Sequence, residues 1–410
     1  FNNDALPTSG ALSYTFQEGP FPEYTPTSLE KEDSGFIRIM NYNILFGRPL
    51  EAAYRSQFER VVQAVNADVF CFNEFYDASV TAVKGLMDTA LPLSNGTGWY
   101  ATKVDGDNVT VSRYPILRAI NVSPVGNMTA NWIDLPEEYG TDLLVLVCHF
   151  SCCDQETERQ LQVDAVAAFI EEAKNPGGRI TVEEGTPIVV TGDFNMVGLQ
   201  QQRTTLLTGD IQNTGRFGTA GMPDWDDTPI TDLIPFHTEA PDVTTWINPF
   251  SSFAPGRLDY ILYSDSRLEA KKSFILKTDD MPSVTLSEND LRAGDTGFSD
   301  HLPIVGDFEI VDLTTPVDEV TLEKKGVHLD PAYPNPMGSI INIPFQLSKA
   351  MHVQLQILSL DGRLIETVVD DVLPAGAHLI EWKNEDLSPG MYWYRFITEK
   401  GIITQALVKQ

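Results

Sequence analysis

Pro187-Ile188-Val189-Val190-Thr191-Gly192-Asp193-Phe194-Asn195 begins as an apolar run and ends on a carboxylate and an amide. A short run of this kind fits a strand buried on both faces. Asp193 and Asn195 stand two apart, so on an extended chain both leave the strand end on the same side. Far downstream, Ser299-Asp300-His301 precedes Leu302-Pro303-Ile304. Its carboxylate can bind a metal and its imidazole can take a proton near neutral pH. These groups together read as metal-assisted phosphoester hydrolysis.

Four more segments place a polar residue against a strand-like run, where a sheet would deliver it to one rim. Asn43 lies in Ile39-Met40-Asn41-Tyr42-Asn43-Ile44, and Glu74 closes Asp68-Val69-Phe70-Cys71-Phe72-Asn73-Glu74. His149 ends Leu143-Leu144-Val145-Leu146-Val147-Cys148, and Asp259 sits in Arg257-Leu258-Asp259-Tyr260-Ile261-Leu262. With Ser112-Arg113-Tyr114-Pro115-Ile116, these segments resemble the endonuclease/exonuclease/phosphatase superfamily, shared by DNase I-like nucleases, neutral sphingomyelinases and inositol-polyphosphate 5-phosphatases. The resemblance covers residues 36–312. It implies an α/β fold, a four-layer sandwich of two packed mixed sheets flanked by helices. Phe58, Val61, Val62 and Val65 are spaced as one helix face, as are Val163, Val166, Ala167 and Ile170.

Chemistry assigns the roles in the same way as the resemblance. Mg²⁺ takes oxygen ligands, few of them from protein. Asn43, Glu74 and Asp300 are the candidate ligands, with Mn²⁺ or Ca²⁺ as alternatives to Mg²⁺. Such an ion polarises a phosphoryl oxygen and neutralises charge on the leaving group. His301 would take a proton from the attacking water, with Asp259 on its other nitrogen. His149 and Asn195 would bind substrate by donating to the non-bridging oxygens, and Asp193 would orient the nucleophile or assist the leaving group. Leu45 stands where some nucleases of this type carry a second Asp, which leaves one metal or two open.

Taken singly, each residue has an ordinary reading. The Asn of Gly-Asp-x-Asn is a common turn former, a Glu at a strand end is usually solvated, and a lone His is usually structural. All of these would have to hold at once. His237, His328, His352 and His378 lack such context and read as structural or surface residues. Cys152 and Cys153 are adjacent, so they either close a strained vicinal disulfide or are buried small side chains. Cys71 and Cys148 read as buried thiols, or as a pair if their strands adjoin.

The chain has 410 residues, room for two domains with ample core. Its 28 Lys/Arg against 58 Asp/Glu give a formal charge of -30. From Glu323 onward eight basic residues meet ten acidic ones, leaving a net of -28 before that point and -2 after it. Long DNA is normally held by a basic stripe, and none is visible, so no stable nucleic-acid complex is expected. No apolar run is long enough to span a membrane. Residues 1–35, rich in Pro, Ser, Thr and Glu, read as an extended lead-in. The absence of a leader at Phe1 fits a cytosolic chain or one whose signal peptide has been removed.

A linker over residues 313–326, around Leu313-Thr314-Thr315-Pro316-Val317-Asp318-Glu319, leads to a second domain over 327–410. Val353-Gln354-Leu355-Gln356-Ile357 alternates, Asp361-Gly362 is a hairpin-turn candidate, and Gly390-Met391-Tyr392-Trp393-Tyr394 starts another strand. Short strands punctuated this way predict a small all-β, immunoglobulin-like sandwich. With Ala332-Tyr333-Pro334-Asn335-Pro336 and Leu387-Ser388-Pro389-Gly390-Met391-Tyr392, it resembles the C-terminal sorting domain of the type IX secretion system. That resemblance implies handling by the secretion machinery and export across an outer membrane.

Three activities fit: an exported phosphodiesterase or phosphatase acting on small or lipid-derived phosphoesters, including sphingomyelinase-like phospholipase C activity; an extracellular nuclease; or an idle surface module. Retention of the chemical residues argues against the last. Between Leu268 and Phe298 the only aromatics are Phe274 and Phe298, with Met281 the other large apolar side chain, so insertion into a membrane has little support and a soluble substrate is favoured.

Overall fold

The computed structural model describes residues 24–94, 96–104, 106–198, 200–311, 327–360, 363–384, 387–398 and 401–409. Its chain divides into two compact units, one running to Pro223 and resuming from Asp232 to Val311, the other taking Asp224–Thr231 and Asp312–Gln410. The predicted linker over 313–326, the Asp361-Gly362 turn and most of the N-terminal lead-in lie outside the described residues. From Tyr24 the chain runs without helix or strand until Ile37; Tyr24 Oη donates to His237 O at 2.6 Å and Lys31 pairs with Asp68.

The strands of the first unit are β1 (Ile37–Asn43), β2 (Val69–Asn73), β3 (Tyr100–Thr102), β4 (Val109–Ser112), β5 (Ile116–Asn121), β6 (Asn127–Ile133), β7 (Leu143–His149), β8 (Ile188–Asp193), β9 (Thr231–Leu233), β10 (Asp259–Tyr263), β11 (Leu268–Ile275) and β12 (Ile304–Ile310). They form two six-stranded sheets, ordered β11-β12-β1-β2-β4-β3 and β5-β6-β7-β8-β10-β9. Both are mixed: β1 and β2 run parallel, as do β7 and β8, within otherwise antiparallel neighbours. Ile37, Ile39, Val69, Val145, Val147, Val189, Ile261 and Phe308 fill the core between the sheets. On the far face of the first sheet, Met40, Phe70 and Phe72 pack with residues of two helices, α1 (Arg55–Val65) and α2 (Val80–Ala90). A third helix, α3 (Glu156–Lys174), follows β7 and buries Val163, Val166, Ala167 and Ile170. The result is the layered sandwich of two mixed sheets with helical cover.

The second unit is all β. One sheet has three strands, β13 (Val327–Leu329), β14 (Ile340–Leu347) and β17 (Gly376–Lys383). The other has four, β15 (Met351–Ser359), β16 (Leu364–Leu373), β18 (Gly390–Thr398) and β19 (Gly401–Lys409). Alternation in β15 sends Val353, Leu355 and Ile357 into a core shared with Ile341, Ile343, Trp382 and Phe396.

Candidate active site

Topology brings the chemistry to one rim. Parallel β1 and β2 end on paired Asn43 and Asn73, and Glu74 follows. Parallel β7 and β8 end on paired His149 and Asp193. Because β10 runs antiparallel to β8, its first residue, Asp259, stands opposite Asp193. Gly192 permits the close approach of β8 to β7: a Cβ there would lie 1.8 Å from Cys148 O, and its φ of +144° favours glycine.

His301 Nδ1 meets Asp259 Oδ2 at 2.8 Å, and its Nε2 lies 3.6 Å from Asp193. His149 repeats the arrangement, with Nδ1 on Asp107 at 2.7 Å and Nε2 3.6 Å from Asp193. Two His–Asp pairs thus converge on one carboxylate. Burial opposes charge on both rings, but the carboxylates win: His149 is pushed up to about 9 by Asp107 and Asp193, and His301 to about 10 by Asp259 and Asp193. Burial raises Asp193 to about 6, with the charge of His301 opposing. Asp193, Asp259 and His301 lie close enough to share a cation. The 2.8 Å bond between His301 and Asp259 instead fits a shared proton.

Glu74 Oε1 accepts from Asn43 Nδ2 at 3.0 Å, and its Oε2 from Phe46 N at 3.0 Å. Asn43 Nδ2 also reaches Asp193 at 3.1 Å, while its Oδ1 accepts from Leu45 N. Asp300 Oδ2 accepts from Trp246 Nε1 and Asn248 Nδ2, but its buried Oδ1 has no partner. Glu74 and Asp300 line the same cleft of about 1250 Å³. Hard carboxylate oxygens around one cleft, one of them lacking a donor, fit a small divalent cation.

Asn195 Nδ2 donates to Phe150 O, and its amide N to Asp193 Oδ1. Its φ is +48°, so the extended-chain reading of Asp193 and Asn195 is corrected: β8 ends at Asp193 and the chain turns. Eight non-glycine residues have positive φ among the described residues, and five of them, Leu45, Phe46, Glu74, Cys153 and Asn195, line this cleft. Backbone held in sparsely populated regions clusters at functional sites.

The cleft lining includes Glu74, His149, Asp193, Asn195, Asp300 and His301; Asn43 and Asp259 are fully buried beneath it. Sequence reasoning missed Asp107, hidden in the turn-like Asp105-Gly106-Asp107-Asn108, and Asn73, whose Oδ1 accepts from Asp193 N at 3.1 Å. It also placed the informative aromatics in the wrong stretch. Phe274, Met281 and Phe298 are buried, whereas Phe250, 96% exposed, and Phe253, 57% exposed, edge the cleft ahead of Asp259.

His237 is buried on Thr244 O, His352 is exposed, and His328 and His378 are half-buried. All four cysteines are free thiols. Cys71 and Cys148 are buried, but Cys152 and Cys153 are exposed, which corrects the reading of that pair as buried side chains and leaves it unbridged in this state.

Residues 40–301 match the endonuclease/exonuclease/phosphatase family, and residues 331–410 match a secretion system C-terminal sorting domain. No curated protein matches the chain. Among solved structures it is similar to ANGEL2, a 2',3'-cyclic phosphatase, at 17% identity and a TM-score of 0.47, over 67% of this chain and 95% of that one. It is also similar to a beta toxin from Staphylococcus aureus, at 16% identity and a TM-score of 0.41, over 66% and 99%. Sphingomyelinase C from Streptomyces griseocarneus gives 14% and 0.37, over 66% and 99%. At such scores none of the three bears on substrate or mechanism.

Proposed function

The chain belongs to the endonuclease/exonuclease/phosphatase family of phosphoester hydrolases, and from that premise we propose an exported, Mg²⁺-dependent enzyme that cleaves a phosphodiester or phosphomonoester with water. The observation that carries this reading is the convergence of His149–Asp107 and His301–Asp259 on Asp193. Enzymes of this family are usually dependent on a divalent metal. Glu74, Asp300 and Asn43 would hold the ion here, with Asn43 using the second lone pair of Oδ1. When bound, it supplies charge to the phosphoryl oxygen and lowers the proton affinity of neighbouring imidazoles.

The chain's own groups then divide the work. Asp193, the group nearest neutrality, orients the attacking water or assists the leaving oxygen. His149, held protonated by Asp107, steadies a non-bridging oxygen together with Asn195. His301 moves the water's proton while Asp259 fixes its tautomer.

A soluble substrate remains the first choice. Phe250 and Phe253 favour a second reading, in which the phosphoester carries an apolar or aromatic group that rests on the cleft edge. The test is hydrolysis of a generic aryl phosphodiester, sphingomyelin, inositol phosphates, RNA and duplex DNA, each with chelator or Mg²⁺. Turnover is expected to vanish with chelator and return with Mg²⁺, and Glu74→Ala to raise the Mg²⁺ requirement sharply. Full turnover in chelator would overturn the metal assignment; loss of the Phe250→Ala variant's activity on sphingomyelin alone would favour the second reading.

A further inference from the structure

We propose that Cys152 and Cys153 form a thiol-modification site on the wall of the catalytic cleft, which a small disulfide converts to a cyclic vicinal disulfide, and that the ring slows hydrolysis. Both thiols are exposed and line the cleft with His149, Asp193 and Asn195. The other two cysteines are buried, so a reagent in the cleft meets only this pair.

The pair is already gathered. The Cys152 thiol is hydrogen-bonded to Cys153, and Cys153 is held at φ +63°. Fully buried Arg159 braces the loop on both sides of Cys152, donating to Ser151 O at 2.8 Å and Cys153 O at 2.9 Å. It also donates to Val197 O at 3.3 Å, two residues beyond Asn195. Phe150 N donates to Asp193 O at 3.0 Å. Strain introduced at Cys152–Cys153 therefore meets a brace shared by the segments carrying His149, Asp193 and Asn195.

The chemistry balances with a low-molecular-weight disulfide as oxidant. One thiolate attacks its sulfur and expels the first small thiol; the second cysteine resolves the mixed disulfide and expels the other. Two electrons pass from the cysteines to the reagent, whose halves leave as thiols. Adjacent Cα atoms stand about 3.8 Å apart, closer than the roughly 4.4–6.8 Å usual for disulfides, so the ring is strained and readily reduced. The Cys152 thiol is pushed up to about 11, chiefly by its hydrogen bond to Cys153, so exchange near neutral pH is slow.

The full chain is incubated with excess cystine for hours and read by intact mass, by peptide mapping and by turnover of an aryl phosphodiester. The expected result is loss of two hydrogens mapped to Cys152–Cys153, and turnover reduced by about 10- to 100-fold, the scale of a displacement near 1 Å at a reacting centre, with recovery in dithiothreitol. Cys152→Ser and Cys153→Ser should keep the reduced enzyme's rate and show a lasting half-cystine adduct in place of the ring. A lasting adduct on the unsubstituted chain, or a ring with undiminished turnover, would overturn the proposal. The effect on turnover rests on the hydrolase reading. An enzyme inactive before cystine is added speaks against the diester substrate, while ring closure is still decided by mass.

Discussion

Burial alone would strip His301 of its proton, yet Asp259 and Asp193 push it from 6.5 up to about 10. Without a cation nearby the ring is an imidazolium at neutral pH, suited to donating a proton or steadying an anion. It accepts one only when other positive charge competes. His301→Ala is expected to cut turnover by about 10²–10⁴-fold, and Asp259→Asn to act in the same direction more mildly. Near-normal turnover of His301→Ala on a diester would remove the ring from the mechanism. Linkage provides a readout that needs no substrate. With the folded pKa raised, the stability that His301 contributes is complete below about 6.5 and is lost as pH rises through about 10. Urea unfolding in chelator should show a stability gap between wild type and His301→Ala that is wide near pH ~7 and narrow near pH ~10.5. A gap of constant size would show that no charged imidazole is held.

Strand ends set the positions of Asn43, His149, Asp193 and Asp259, and that is why much of the site is legible in the sequence. An apolar run that stops on Glu74, His149 or Asp193 announces both a buried strand and its rim. The helix faces at Phe58–Val65 and Val163–Ile170 follow from their spacing, and all eight residues are buried. What is not legible depends on contact between distant segments. Asp107 looks like turn composition until β7 places His149 against it, and Asn73 looks like a strand residue until Asp193 N finds it. The exposure of Phe250 and Phe253 likewise follows from tertiary placement, not from local pattern. Gly192 tests the element scale directly. Gly192→Ala places a Cβ against Cys148 O between β7 and β8 and strains a φ of +144°. Overpacking of this kind costs about 1–3 kcal/mol or more. The variant should unfold at lower urea and lose turnover beyond what its folded fraction explains. Unchanged stability would mean that the two strands part without cost.

At the scale of the whole molecule, chemistry and export are written in different units. The C-terminal sorting domain directs the protein through the type IX system to the cell surface or beyond. Its part of the chain, from Glu323, is nearly balanced in charge at -2, while the preceding part carries -28. So acidic a unit repels long polyanions, and it brings a substrate phosphate close only where a bound cation or the His149 and His301 imidazoliums offset the carboxylates. Every residue assigned to the chemistry, from Asn43 to His301, precedes Val311, where the first unit closes. Units of this kind are expected to fold separately when few contacts cross their boundary. A chain ending at Asp312 should therefore fold and keep its turnover when purified, yet fail to reach the surface or medium of its native host. Circular dichroism, a diester assay and cell fractionation decide the matter together. If the shortened chain is folded but inactive, the sorting domain shapes the site and the boundary near Asp312 is misplaced. If it is active and still exported, the domain is not the address.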